Sequence, residues 1–196
     1  YAIDGERYDY LSDAIAKGLR VNQIEWDIPK FIPIISLTDK RTWLWKKIEL
    51  KAIVVRLYEI LLNDKLRGEF GDRDLHRSLD FDGIIILSSI MPDEILDHLS
   101  VEEYIDYYER MRPDIITSLD TYTYYDDPNM LSWNQTLKCL YSIVKLGEYG
   151  IPIIPLLKGG NVTQVKFSLK LFKLFGVKYF IIPVRELLRT NQLFLN

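Results

Sequence analysis

The sequence predicts an α/β domain built from repeated β-α units of the TIM-barrel type, a partial or complete barrel with about six parallel strands. Three observations carry this prediction. Short apolar runs rich in Ile, Val and Leu recur at residues 31–37, 52–57, 83–87, 114–119, 151–157 and 178–183. Their hydrophobicity is nearly continuous rather than alternating, which suits strands covered on both faces, as in a parallel sheet. Between the later runs lie segments of helical spacing with recognisable start and stop residues, so strand and helix alternate as right-handed crossovers require.

Residues 1–29 are the more polar part and are expected as an N-terminal extension, with a helix around 10–19 that covers the bottom of the barrel or packs alongside it. Residues 30–196 are expected to form the TIM-barrel-like domain. After the first run come Trp43 and Trp45 beside Lys46 and Lys47, a group that would either dock a partner or, more plainly, sit on a helix packed against the sheet. The stretch 67–78 (RGEFGDRDLHRS) reads as a charged, glycine-containing loop between the second and third strands. Ser100 followed by Glu103 is a capping box opening a helix over 100–111, which Arg112-Pro113 closes before the fourth strand. A helix over 130–146 stops at Gly147, and Asn161 caps a helix over 162–175 that stops at Gly176. On this last helix Lys166, Lys170 and Lys173 share one outer face, a solvated stripe or, alternatively, a phosphate contact. A complete eight-stranded barrel usually needs about 250 residues, and this chain has 196.

Composition narrows the function. The chain is 48% hydrophobic and 27% charged, as in an ordinary globular domain, and its net charge of -3 argues against a generally basic nucleic-acid surface. Cys139 is the only cysteine, so neither an intrachain disulfide nor a CxxC or Cys/His metal cluster is expected, and a reducing cytoplasm is the natural compartment. No apolar run approaches the roughly 20 residues of a membrane span, and the first residues lack a signal-peptide core, so neither secretion nor anchoring is expected. No cofactor is expected either.

In α/β barrels the reactive groups gather at the C-terminal ends of the strands. That rule selects Ser88 and Ser89 after the third strand, Asp120 after the fourth, Lys158, Gly159 and Gly160 after the fifth, and Arg185 with Glu186 after the sixth. Asp120 enters a tyrosine-rich loop, 121–128 (TYTYYDDP), where a carboxylate beside stacking surfaces would read the donor edge of a planar base. The plainer reading of the residues alone is that Asp120 caps the loop through an Asx turn while the tyrosines pack the barrel rim. Lys158-Gly159-Gly160 offers backbone amides and a cation to an anion or carbonyl, or is an ordinary strand-to-helix turn. His76 and His98 are the only histidines and lie in polar loop or helix contexts, so structural roles are expected for both and no Ser-His-Asp triad.

Taken in order, these segments resemble the tRNA-guanine transglycosylase family. Lys30-Phe31-Ile32-Pro33-Ile34 is similar to the family's P-x-F-M-P-V first strand, and residues 52–63 to its I-I-x-N-x-Y-x-L, with Tyr58 at the tyrosine. Residues 75–83 (LHRSLDFDG) resemble L-H-K-F-x-x-W-D-G. Residues 100–120 resemble T-P-E-E-x-I-x-x-Q-E-x-x-G-x-D-I-x-M-x-x-D, with Asp120 at the final aspartate. Leu157-Lys158-Gly159-Gly160 is similar to V-Q-G-G, and residues 175–184 to F-D-x-Y-x-I-G-G-L.

The resemblance implies an irregular TIM barrel and an exchange of guanine for a 7-deazaguanine in tRNA, through attack of an aspartate on the ribose C1′. It makes Asp120 the base-recognising residue and carries over Gly159 and Gly160. Other positions depart from it. Ser88-Ser89-Ile90-Met91 stands for D-S-G-G, so the proton-transfer aspartate is a serine; Lys158 replaces the base-reading glutamine; Ile182-Pro183 replaces two glycines. The family's nucleophile and zinc ligands have no position here. The expectation is therefore a divergent transglycosylase-like protein that binds a guanine or 7-deazaguanine-type base or nucleic acid, with base exchange only if the missing residues are supplied elsewhere. The alternative is a non-catalytic accessory or partner subunit with a degenerate barrel. Expected partners are tRNA or another nucleic acid, a purine-type base, and a second copy or a different subunit. Lys158 would favour an anionic ligand.

Overall fold

Apolar runs bounded by turn residues fold here as strands, and five of the six do so in a computed structural model that describes residues 3–183. The protein is a mixed α/β chain whose described strands all run parallel, accompanied by eight described α-helices. Its residues form two compact units. One is contiguous, Ile24–Thr117; the other is assembled from the residues up to Gln23 and those from Ser118 onward. The expected division after residue 29 follows sequence character, whereas compactness divides the chain at 23/24 and again at 117/118.

The contiguous unit holds β1 (Ile34–Ile35), β2 (Ala52–Arg56), β3 (Ile84–Ser88) and β4 (Ile115–Thr117), paired in chain order. β2 and β3 match residue for residue from Ala52 against Ile84 to Arg56 against Ser88. Ile53, Val55, Ile85, Leu87 and Ile116 are fully or almost fully buried, as expected for strands covered on both sides. β2 passes directly into α2 (Leu57–Leu62).

The stretch expected as a loop over 67–78 is a correction, because most of it is helical: α3 (Asp64–Phe70) and α4 (Leu75–Leu79). Asn63 caps α3 by accepting from the Lys65 and Leu66 amides, and Asp74 caps α4 by accepting from the Arg77 amide. The charged residues concealed an apolar stripe, Leu66, Phe70, Leu75 and Leu79, all of it buried. Trp43 and Trp45 lie on two 3₁₀ turns, Lys40–Thr42 and Leu44–Lys46 and their flanks, and stack at 5.3 Å. Their indole N–H groups donate to the Ser36 and Leu79 carbonyls, so both rings are anchored within the unit. α5 (Asp93–Leu96) precedes α6 (Val101–Met111), which opens on the expected Ser100–Glu103 capping box and ends at Arg112 in the left-handed conformation.

The second unit contains α1 (Gly5–Ala16), α7 (Asn129–Glu148), β5 (Ile153–Ile154) and α8 (Val162–Leu174). α1 packs alongside α7 through buried Leu11 and Ala14 and a Tyr10–Tyr141 ring contact at 5.0 Å. The expected sixth strand, 178–183, is corrected to one isolated parallel bridge, Leu156 to Ile181. Proline explains its brevity. The Ile181 amide donates to Pro155 and the Leu157 amide to Ile181, but Pro155 and Pro183 have no N–H with which to extend the ladder in either direction. The Gln23 side chain takes over the donation, giving its amide N–H to the Ile153 and Tyr179 carbonyls while its oxygen accepts from the Lys178 and Tyr179 amides. No described helix is long and apolar enough to cross a membrane.

Candidate functional site

The site forms where two parallel segments of the second unit run on together. The Ser118 amide donates to the Ile154 carbonyl, and the Ser118 hydroxyl accepts from the Leu156 amide at 2.9 Å. Side chains on an extended segment repeat every two residues, so two steps onward Asp120 and Lys158 face each other. Lys158 Nζ lies 2.7 Å from Asp120 Oδ1, with the two side chains only 1% and 5% exposed. The same Oδ1 accepts the amide of the next residue, Thr121, at 2.9 Å. This is a buried, charge-neutral pair fixed from both ends, and the Ser168 hydroxyl holds the Lys158 carbonyl at 2.9 Å.

Past Lys158 the chain turns into α8 through Gly159 and Gly160, where close approach rather than flexibility requires glycine. A Cβ on Gly160 would stand 2.3 Å from Ser132 Oγ and 2.8 Å from the Tyr124 carbonyl, and one on Gly159 2.7 Å from the Val165 nitrogen. A buried polar network clamps this turn. Gln164 Oε1 accepts from the Gly160 amide at 2.7 Å, from Ser132 Oγ at 2.5 Å and from Thr136 Oγ1 at 3.3 Å, and its Nε2 donates to Asn129 Oδ1 at 3.2 Å. Asn161 caps α8 by accepting from the Gln164 amide and donates its own side-chain N–H to Asn129 Oδ1. The network is buried at Ser132, Thr136 and Gln164 and reaches the surface at Asn129 and Asn161, so it holds the turn while leaving polar groups at the floor above it.

Above that floor opens a cleft of about 1140 Å³, framed by Tyr125, Trp133, Gly160, Asn161, Lys166 and Ile182 among others. Trp133 stands edge-on to Phe167 at 5.3 Å, while Tyr125, Val162 and Ile182 on the lining are 74%, 69% and 50% exposed. Asp127 also lines the cleft and accepts the Tyr124 amide at 3.0 Å. The arrangement offers aromatic and apolar walls with hydrogen-bonding groups at the base, the usual composition of a small-molecule site.

The structure therefore brings together Asp120, Lys158, Gly159 and Gly160 of the expected residues. Ser88 and Ser89 belong to the contiguous unit. There the Ser88 hydroxyl accepts the Ile90 amide, and Ser89 engages Thr117 Oγ1 through its amide at 2.9 Å and its hydroxyl at 3.0 Å. His76 is held between the Phe81 carbonyl at 2.8 Å and Asp114 Oδ2 at 3.0 Å, and that carboxylate also accepts the Ile85 amide; the ring is structural, as expected. Arg185 and Glu186 lie outside the described residues. Among the described residues no group of three or more His, Cys, Asp or Glu side chains could hold a metal ion.

Sequence reasoning missed Ser132, Trp133, Asn129 and Gln164. A signal existed for the last: Asn161-x-x-Gln164 has the capping-box spacing, although the glutamine reaches the Gly160 amide rather than that of the cap. No protein-family model matches the chain, and no characterised protein matches it either.

Proposed function

We propose that this chain is a divergent, TIM-barrel-type relative of the tRNA-guanine transglycosylases that acts as a non-catalytic accessory or partner subunit. The supporting observation is the Asp120–Lys158 pair. On the resemblance Asp120 would read the donor edge of guanine, yet its carboxylate already holds an ammonium and the Thr121 amide. Handing that carboxylate to a neutral base would leave a buried lysine without its counter-charge, at a cost of about 3–5 kcal/mol. Under this reading the partner is a catalytic chain of the same class, with tRNA or another nucleic acid reached in the assembly, and the compartment is a reducing cytoplasm, which suits the buried thiol of Cys139.

The competing reading, a working guanine or 7-deazaguanine pocket, is favoured by Gly159 and Gly160, which carry over from V-Q-G-G. Calorimetric titration with guanine, 7-deazaguanine and GMP separates the two. The wild-type chain is expected to bind none of them measurably. Lys158→Gln restores the family pattern, frees Asp120 from its ammonium and is expected to gain affinity for the base. Tight binding by the wild type, abolished in Asp120→Asn, would establish the base-binding reading instead.

A further inference from the structure

The lysine stripe of α8 takes on a different meaning beside the cleft. Lys166 lines the cleft, and Lys170 and Lys173 continue from it along the exposed face of the helix, spanning about 10 Å at the helical rise. None of the three has an ion-pair partner among the described residues, whereas Lys46, Lys51 and Lys145 each sit within 4 Å of a carboxylate. The same helix exposes Val162, Leu169 and Leu174 to 69%, 39% and 41%. A cationic row that leads into a concavity with aromatic walls combines a backbone track with a place for a base.

We propose that the exposed face of α8 and the adjoining cleft bind a single strand of nucleic acid. Successive phosphates lie along Lys173, Lys170 and Lys166, and one base enters the cleft against Tyr125 and Trp133. The floor suits a base edge: the Asn129 and Asn161 amides and the Asp127 carboxylate offer both donors and acceptors. An anionic membrane would use the same lysines and exposed apolar side chains, but it has nothing to place in a polar-floored concavity. The overall charge of -3 keeps the attraction local to this face.

The proposal is independent of the Asp120–Lys158 pair, so guanine titration of Lys158→Gln and the following experiment can fail separately. Fluorescence anisotropy is measured with a labelled single-stranded RNA of about 10 nucleotides, a typical site size for such surfaces, across a range of salt. The wild type is expected to bind at low salt and weaken as salt rises. Replacing Lys166, Lys170 and Lys173 together by Gln should weaken binding and flatten the log–log salt slope by about 2. Tyr125→Ala, at a side chain 74% exposed, should weaken binding about tenfold with the slope unchanged. No binding by the wild type overturns the proposal, as does a triple variant with unchanged slope or a Tyr125→Ala chain that binds like the wild type. Retention by phosphatidylserine vesicles without retention of RNA overturns it in favour of a membrane surface.

Discussion

At the scale of single residues the Asp120–Lys158 pair decides most. Two charges held with 5% and 1% side-chain exposure lose nearly all their hydration, and the pair persists because each group satisfies the other at 2.7 Å. Lys158→Met alone should therefore destabilise the protein by about 3–5 kcal/mol, because it removes the counter-charge of a buried carboxylate. Adding Asp120→Leu should return most of that loss, since an apolar pair of similar volume has no desolvation to recover. Urea denaturation of both single variants and the double variant measures the coupling, and additive losses would show that the pair does not act as a unit. Sequence singled out both positions, because each follows an apolar run at the end where barrel sites collect. It could not show that they touch, which depends on the register between the segments after Ser118 and after Ile154, a tertiary fact with no local signature.

At the scale of elements, the helices with explicit caps were legible, and those hidden in charge were not. The Ser100–Glu103 box and the Asn161 cap stand in the structure where the sequence put them, while α3 and α4 were masked by a composition typical of loops. The docking of α1 on α7 has a pH dependence that follows from its contacts. The Tyr10 hydroxyl donates to the Glu148 carboxylate, and burial together with that bond raises the Tyr10 phenol above its usual value. Lys145, drawn to the Tyr10 ring at 4.7 Å, is raised as well, first by its hydrogen bond to Tyr10. A group whose folded pKa is raised lends its stability fully below the unfolded value and loses it as pH climbs through the folded one. The melting temperature should thus be steady near neutrality and fall above about pH 10, the ordinary phenol value. Tyr10→Phe should lower it at neutral pH and make the alkaline decline shallower, as differential scanning calorimetry across that window would record.

At the scale of the whole molecule, the parallel α/β character was legible because continuous apolar runs have few other uses, yet two features were not. The first and fifth strands are shorter than their runs and the sixth run forms only a bridge, where Pro33, Pro155 and Pro183 interrupt the donor rows, and one compact unit is assembled from both ends of the chain. That second feature rests on contacts no periodicity announces: the Val21 amide donates to the Phe175 carbonyl, Asn22 bridges to Pro152, and Gln23 makes four hydrogen bonds to backbone groups of Ile153, Lys178 and Tyr179. Gln23 is thus a backbone surrogate, supplying the N–H that Pro155 lacks. Gln23→Ala should cost about 1–3 kcal/mol, less than the sum of four bonds because water reaches the exposed ones. Its effect should be local. Amide hydrogen exchange at Tyr179 and Ile181 should accelerate, while the amides of β2 and β3, paired over five residues within the contiguous unit, keep their protection. Uniform acceleration in both places would instead mean that Gln23 contributes to global stability alone and that the 178–181 segment is held by the Leu156–Ile181 bridge without it.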